Sequence, residues 1–299
     1  MNRPLARSIA QSISAALETP FEPLRWEPVG GGCIHQAWKF VGALADGEAA
    51  FFVKSNAAES LPMLEAEAEG LAALRRAGCS APRALLSAQA DGQAWLVLDW
   101  LDLVALDAAS GARLGEALAA LHAIEQPRFG WAADNFIGAS PQRNGWSDDW
   151  LEFWRMRRLA SQLRMAAANR LPSRLIDRGE RLAADCDALF KGHAPRPSLL
   201  HGDLWGGNAA ALADGTPVVF DPAVYCGDRE ADVAMTQLFG GFPPEFQAAY
   251  RARLPLPEGH AVRRDFYNVY HLLNHANLFA GGYVRQAQDA VERLLAEIA

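Results

Sequence analysis

The hydrophobic pattern of this chain changes period near residue 100, and that change limits the folds open to it. Before it, short apolar runs are separated by glycine-bearing turns; after it, helical spacing dominates. Leu5, Ile9, Ile13 and Leu17 recur every four residues, as on an amphipathic helix. Arg25–Val29 then reads as a strand, Gly30-Gly31-Gly32 as a turn and His35–Val41 as a second strand. An Asp46-Gly47 turn leads into a third, Ala49–Lys54. Leu61–Arg76 reads as a helix with Leu64, Ala68, Leu71 and Leu74 on one face and Gly78 beyond its end. Ala94–Leu98 is a further strand. From Ala105 onward helical patterns prevail, beginning with Leu114, Leu118 and Leu121. A strand-rich first third and a helix-rich remainder therefore join near residues 99–102.

Composition narrows the function classes. With 299 residues, 51% of them hydrophobic, the chain can bury a core as one large domain or two lobes. A net charge of −7 argues against broad nucleic-acid binding, which needs a basic face. The longest apolar region, Ala94–Leu106, is broken by Asp99 and Asp102, so no membrane span is expected. The four cysteines, Cys33, Cys79, Cys186 and Cys226, lack metal-like or disulfide-like spacing, and the N-terminus lacks a signal-peptide core; a cytoplasmic protein is expected. Only three of the 28 basic residues are lysines (Lys39, Lys54 and Lys191), so a lysine inside an apolar strand needs a reason.

Two segments carry the chemistry. In Ser198–Asn208 an apolar strand runs into a loop opened by His201, with Asp203 and, five residues on, Asn208. That order fits a phosphoryl-transfer loop, in which the aspartate takes a hydroxyl proton and the asparagine holds Mg²⁺. Val218–Asp221 is a β-branched strand ending on a second carboxylate, where the other magnesium ligand of such sites belongs. His201 is expected to brace the loop. The first third supplies the complement. Gly30, Gly31 and Gly32 suit a turn that cradles phosphates, or an ordinary turn. Lys54 is placed to pair the ATP phosphates, and Glu67, rather than Glu65 or Glu69, to orient it. Protein kinases place arginine between the loop histidine and aspartate; here stands Gly202. Asp221 is followed by Pro222 rather than Phe-Gly, so a small-molecule kinase without phosphorylation-controlled activation is expected.

These residues resemble the fructosamine kinase (ketosamine 3-kinase) family, within the aminoglycoside phosphotransferase-like group. The resemblance rests on Pro28–Gly32, Phe52-Val53-Lys54, Asp134–Gly138, Asn144–Trp150, His201–Asn208 and Tyr270–His275, and so covers nearly the whole chain. It implies an α+β, bilobal protein-kinase-like fold, with a small ATP-binding antiparallel-sheet lobe over 1–101 and a larger helical catalytic lobe over 102–299. It also implies ATP- and Mg²⁺-dependent phosphorylation of the sugar 3-hydroxyl of ketosamines, free or as glycated-protein lysine adducts, in deglycation repair. Asp203 would be the base, Asn208 and Asp221 the Mg²⁺ ligands, and Asp99, Trp100 and Leu101 the backbone that holds adenine. Trp205 would wall the sugar. His271, Asn274 and His275 either line the acceptor site or brace the catalytic loop, Asp228 serves the loop's hydrogen-bond framework, and Trp146 and Trp150 pack. Cys33 stands either as an oxidant-sensing or bridging thiol or as a small residue in a tight loop. The rivals are a kinase for aminoglycosides, choline-like amines or free sugars, and a non-catalytic nucleotide-binding module. Monomer and dimer are both open.

Overall fold

The computed structural model describes residues 1–30 and 34–298, so Gly31, Gly32 and Cys33 lie outside the described residues. The chain divides into two compact units, Met1–Val104 with Ala211–Asp221, and Ala105–Ala210 with Pro222–Ala299. This differs from the expected boundary at 101/102. Val104 and Ala211 exchange hydrogen bonds (2.8 and 2.9 Å), and the Val219 N–H donates to the Ser80 carbonyl at 3.0 Å, which stitches the returning segment to the first unit.

The first unit is built from α1 (Arg3–Leu17), β1 (Glu22–Pro28), β2 (Gln36–Leu44), β3 (Gly47–Ala57), α2 (Leu61–Arg76), β4 (Ala84–Ala90) and β5 (Gln93–Asp99). The strands form an antiparallel sheet in the order β1-β2-β3-β5-β4. Asn2 starts α1 by accepting from the Leu5 N–H at 3.0 Å. Ile9 and Ile13 of that helix pack with Phe40, Phe51, Val53, Trp95 and Val97 of the sheet. Strand β4 has no counterpart in the sequence reading. Its Ala-Leu-Leu-Ser-Ala-Gln-Ala composition has no β-branched residue, and pairing with β5 rather than intrinsic preference makes it a strand. Helix α2 buries Leu64, Gly70, Leu71, Ala73 and Leu74; Ala68, expected on that face, is only half-buried.

The second unit begins with α3 (Ala108–His122), whose Asp107 and Ser110 cap each other's N–H groups at 2.7 and 2.9 Å. Then come β6 (Asn135–Ile137), β7 (Ser140–Gln142), α4 (Trp150–Phe153), α5 (Ala160–Ala168), α6 (Ser173–Asp185) and β8 (Pro197–Leu200). Strand β9 (Ala209–Ala211) ends at the boundary, β10 (Pro217–Val219) belongs to the returning segment of the first unit, and β11 (Tyr225–Asp228) pairs antiparallel with β8. Helices α7 (Glu230–Leu238), α8 (Pro244–Arg253), α9 (His260–Phe279) and α10 (Gly282–Glu297) complete the unit. Its core gathers on α9, where Phe266, Tyr267, Tyr270 and Leu273 meet Trp150, Phe153 and Trp154. Trp150 is a core residue, as expected, and donates to the Tyr267 hydroxyl at 2.9 Å; Trp146 is 43% exposed, with its ring 6.4 Å from that of Trp131.

A polar network runs through that core. Asn135 donates to the Val224 carbonyl (2.7 Å), and its oxygen accepts from Gln142 and Asn144 (both 2.9 Å). Gln142 also donates to the Ala223 carbonyl at 3.0 Å and accepts from the Tyr270 hydroxyl at 2.8 Å. Arg158, fully buried, donates to Asn144 at 2.8 Å and lies over the Tyr225 ring at 4.0 Å. The Asp134–Gly138 and Asn144–Trp150 motifs thus act through structure: they fix the backbone at 222–225, on which the loop below rests.

Candidate active site

In the first unit, the two-residue period of β3 turns Phe51 and Val53 into the core with α1 and leaves Lys54 on the opposite face. There the Lys54 ammonium lies 2.7 Å from Glu67 of α2 and 2.6 Å from Asp221. Glu65 and Glu69 are exposed. Burial opposes the Lys54 charge, but the two carboxylates outweigh it and hold its pKa above the ordinary lysine value. Burial pushes Glu67 up; Lys54 pulls it back only in part, and Asp221 adds to the rise. The half-exposed Asp221 offers carboxylate oxygens, the hard donors that a divalent cation takes. Asp221 has a φ of +57°, a left-handed conformation that aspartate tolerates better than most residues, at roughly 1–2 kcal/mol. Such strain clusters at functional sites.

His35, just beyond the glycines, escaped the sequence reading. Its Nδ1 accepts from the Asn56 amide at 3.1 Å, because the Asn56 oxygen is taken by the Ala57 N–H at 2.8 Å. Burial, with Lys54 nearby, pushes its pKa down to about 4, so the ring is neutral with its hydrogen on Nε2. Among the described residues, no atom lies within 4 Å of where a Cβ on Gly30 would stand. Of the residues assigned to adenine, Asp99 commits its N–H to the Arg83 carbonyl at 3.0 Å, which removes that donor from the set. The Trp100 indole donates to Asp102 at 2.8 Å, and the Lys39 ammonium sits 4.3 Å over its ring. Leu101 follows as a half-buried residue outside any strand.

In the second unit, the loop after β8 is held by a carboxylate that the sequence reading did not select. Asp232, fully buried on α7, accepts from the His201 N–H at 2.7 Å and the Gly202 N–H at 2.8 Å, with His122 Nε2 at 3.3 Å. Burial raises the pKa of this acid, but His122, His201 and the loop amide outweigh it and leave it lowered. Asp228, expected in this role, instead accepts from Tyr267 and His193 (both 2.7 Å) and the Glu230 N–H, bracing β11 against α9. The physical reason is register: Asp228 ends the strand, whereas Asp232 lies one helical turn on. From the other side, Ala223 donates to the His201 carbonyl at 2.8 Å.

Within the loop, His201 is buried and its Nδ1 accepts from the Asp203 N–H at 3.3 Å. Asn208 Nδ2 donates to the Asp203 carbonyl at 2.9 Å and to its Oδ2 at 3.3 Å. That fixes which end of the amide faces Asp203. The oxygen is the end that a hard cation takes. Trp205 is 39% exposed. Of the three residues assigned to α9, Asn274 is occupied inside the core, accepting from Gln162 at 3.1 Å and donating to the Ile137 carbonyl at 3.4 Å. His271 is also buried; His275 is half-buried and donates to the His271 carbonyl at 2.9 Å.

Burial pushes His271 down to about 3. Below the ordinary value near 6.5, the unfolded chain takes up a proton that the folded one refuses, so stability is full above that pH and falls toward 3. Chemical denaturation between pH 7 and pH 4 is expected to show a loss of up to about 1.4 kcal/mol per pH unit from this residue. His271→Gln should flatten the profile even if it lowers the plateau.

Residues 5–297 match the fructosamine kinase family. The chain belongs to that family. It is 42% identical over 293 residues to a probable ketoamine kinase of Synechocystis, covering 97% of this chain and 96% of that one. A chloroplastic protein-ribulosamine 3-kinase of Oryza sativa subsp. indica is 36% identical over 272 residues, 89% of this chain and 78% of its own. Among crystal structures, a candidate fructosamine-3-kinase from Haemophilus somnus superposes with a TM-score of 0.86 at 29% identity, covering 96% of each chain. A Streptococcus pneumoniae choline kinase (16% identity, TM-score 0.59, covering 98% of this chain and 99% of that one) shares the fold alone. The fold is α+β and protein-kinase-like, and the family member described here is an ATP-dependent kinase acting on a hydroxyl group. Among the described residues, no helix is long and apolar enough to cross a membrane.

Proposed function

We propose that this kinase transfers the γ-phosphoryl of ATP to the 3-hydroxyl of ketosamines, the rearranged adducts of sugars with amines. The observation that carries the acceptor is Trp205, a 39%-exposed aromatic face two residues beyond Asp203, onto which the C–H face of a sugar can stack. The ketoamine and ribulosamine kinase names of its relatives favour the same class over aminoglycosides or choline. A phosphate on that hydroxyl makes the adduct prone to eliminate and release its amine, so the role is deglycation repair, on free ketosamines or glycated lysines, in the cytoplasm.

In this reading Asp203 takes the acceptor proton, Lys54 pairs the nucleotide phosphates and Glu67 holds Lys54 in place. Gly30, with Gly31 and Gly32, covers the phosphates, and the backbone at Trp100 and Leu101 meets adenine. Mg²⁺, when bound, neutralises charge on the transferring phosphoryl group. Asn208, through its amide oxygen, and Asp221 are the residues that would hold it. The fit is chemical: both are hard oxygen donors, and Asp221 is half-exposed.

ADP release with Mg·ATP across fructosamine, ribulosamine and erythrulosamine adducts of lysine, with kanamycin and choline as controls, tests the acceptor. Turnover confined to the ketosamines is expected; turnover on a control alone would replace the substrate class. For the metal role, Asp221→Asn, which keeps a residue that tolerates the left-handed backbone, should weaken calorimetric ATP binding at least tenfold in Mg²⁺ and little in EDTA. An equal loss in both buffers would remove Asp221 from the metal site.

A further inference from the structure

The aromatic surface at Trp205 continues beyond the catalytic loop. Trp205 meets Phe239 at 6.3 Å between ring centroids, and Phe239 meets His275 at 4.8 Å and Tyr283 at 6.2 Å. Phe279 closes the run, 5.6 Å from His275 and 6.3 Å from Tyr283. The two ends, Trp205 and Phe279, are 39% and 50% exposed, and the three rings between them are half-buried. The join is a backbone contact. A Cβ on Gly206 would stand 2.7 Å from Gly241 Cα and 2.8 Å from the Gly240 carbonyl oxygen. Gly206 therefore rests directly on the turn that follows Phe239, and Trp205 and the ring run are positioned together.

We infer that this run is the subsite for the amine half of the acceptor, a protonated secondary amine and the alkyl stem that carries it. The inference rests on the ketosamine reading and extends it. A ketosamine has two halves, and Trp205 accounts only for the sugar. Beyond it Phe239, Tyr283 and Phe279 follow in steps of about six ångström, with His275 set among them, and the Phe and Tyr faces attract cations. Among the described residues, the cations stacked on rings are Lys39 on Trp100, Arg158 on Phe153, Tyr225 and Tyr270, and Arg229 on Tyr250. His275 does not repel an ammonium: it donates from Nδ1 to the His271 carbonyl, and burial lowers its pKa, so its ring is neutral at neutral pH. The stem would lie along Phe239 and Tyr283, with the charge over exposed ring faces.

The test uses two ketosamines that share one sugar, one carried on methylamine and one on the side chain of Nα-acetyl-lysine. In Phe279→Ala and Tyr283→Ala, the ratio of kcat/KM for the lysine adduct to that for the methylamine adduct is expected to fall about tenfold, equivalent to about 1.4 kcal/mol. Phe279→Leu, which keeps apolar area but not a ring face, should fall with Phe279→Ala, whereas Phe279→Tyr should hold the wild-type ratio. An unchanged ratio in both alanine variants overturns the inference. So does a wild-type dimer that Phe279→Ala converts to monomer, by light scattering, with the ratio unchanged; the run would then seat a second copy. Failure of the ketosamine reading itself is seen separately, as wild-type enzyme that turns over neither adduct.

Discussion

Asp203→Asn is expected to lower turnover by roughly 10²–10⁴-fold, the usual contribution of a positioned general base, while ATP affinity stays within about twofold of wild type. Asparagine preserves the volume of the side chain and an oxygen that can accept from Asn208, which now donates to Asp203 at 2.9 and 3.3 Å. What it loses is the capacity to take a proton. The loop conformation itself is secured elsewhere, by Asp232 and Ala223, so the variant should fold. ADP release and nucleotide calorimetry on the same preparation separate the two properties. Turnover equal to wild type would remove Asp203 from the mechanism.

Asp232→Ala is expected to have the largest effect on stability, about 3–5 kcal/mol, because it strips a charged acceptor from partners that are themselves buried. The His201 and Gly202 N–H groups, at 2.7 and 2.8 Å, lose their acceptor together, and His122 loses its contact at 3.3 Å. A fall in melting temperature of roughly 10 °C should follow. Asp232→Asn keeps one accepting oxygen but sets an NH₂ against the other N–H, so it should fold, melt between the two, and show a lowered kcat with little change in ATP affinity. If both variants melted and turned over like wild type, the loop would not depend on this carboxylate.

The sequence was most legible where short-range pattern and chemistry coincide. Lys54 could be singled out because lysine is rare in this chain and sits at the end of an apolar strand; its contacts with Glu67 and Asp221 are a matter of geometry. The His201–Asn208 loop was marked by residue order alone. Asp232 was not, because a carboxylate on a helix among apolar residues carries no motif, and its meaning lies in two N–H groups thirty residues earlier that only the fold brings near. His35 was hidden likewise, its role set by Asn56 on another strand. Strand β4 was lost because alanine, serine and glutamine carry weak strand preference and β5 supplies the reason to extend. Asn274 drew attention as an amide beside histidines, yet burial commits it to Gln162 and Ile137.

Gly202 has a consequence for how such an enzyme could evolve. Its φ is +82°, and a Cβ there would stand 2.1 Å from the Ala223 carbonyl oxygen, backbone against backbone. No side chain can enter without moving the 222–225 segment, which Asn135 and Gln142 hold by hydrogen bonds at 2.7 and 3.0 Å. The arginine through which protein kinases sense a phosphorylated activation loop occupies this position in their sequences. In this lineage that arginine is not one substitution away; it lies behind the rebuilding of a buried hydrogen-bond network. Control by phosphate at this point is closed to gradual acquisition.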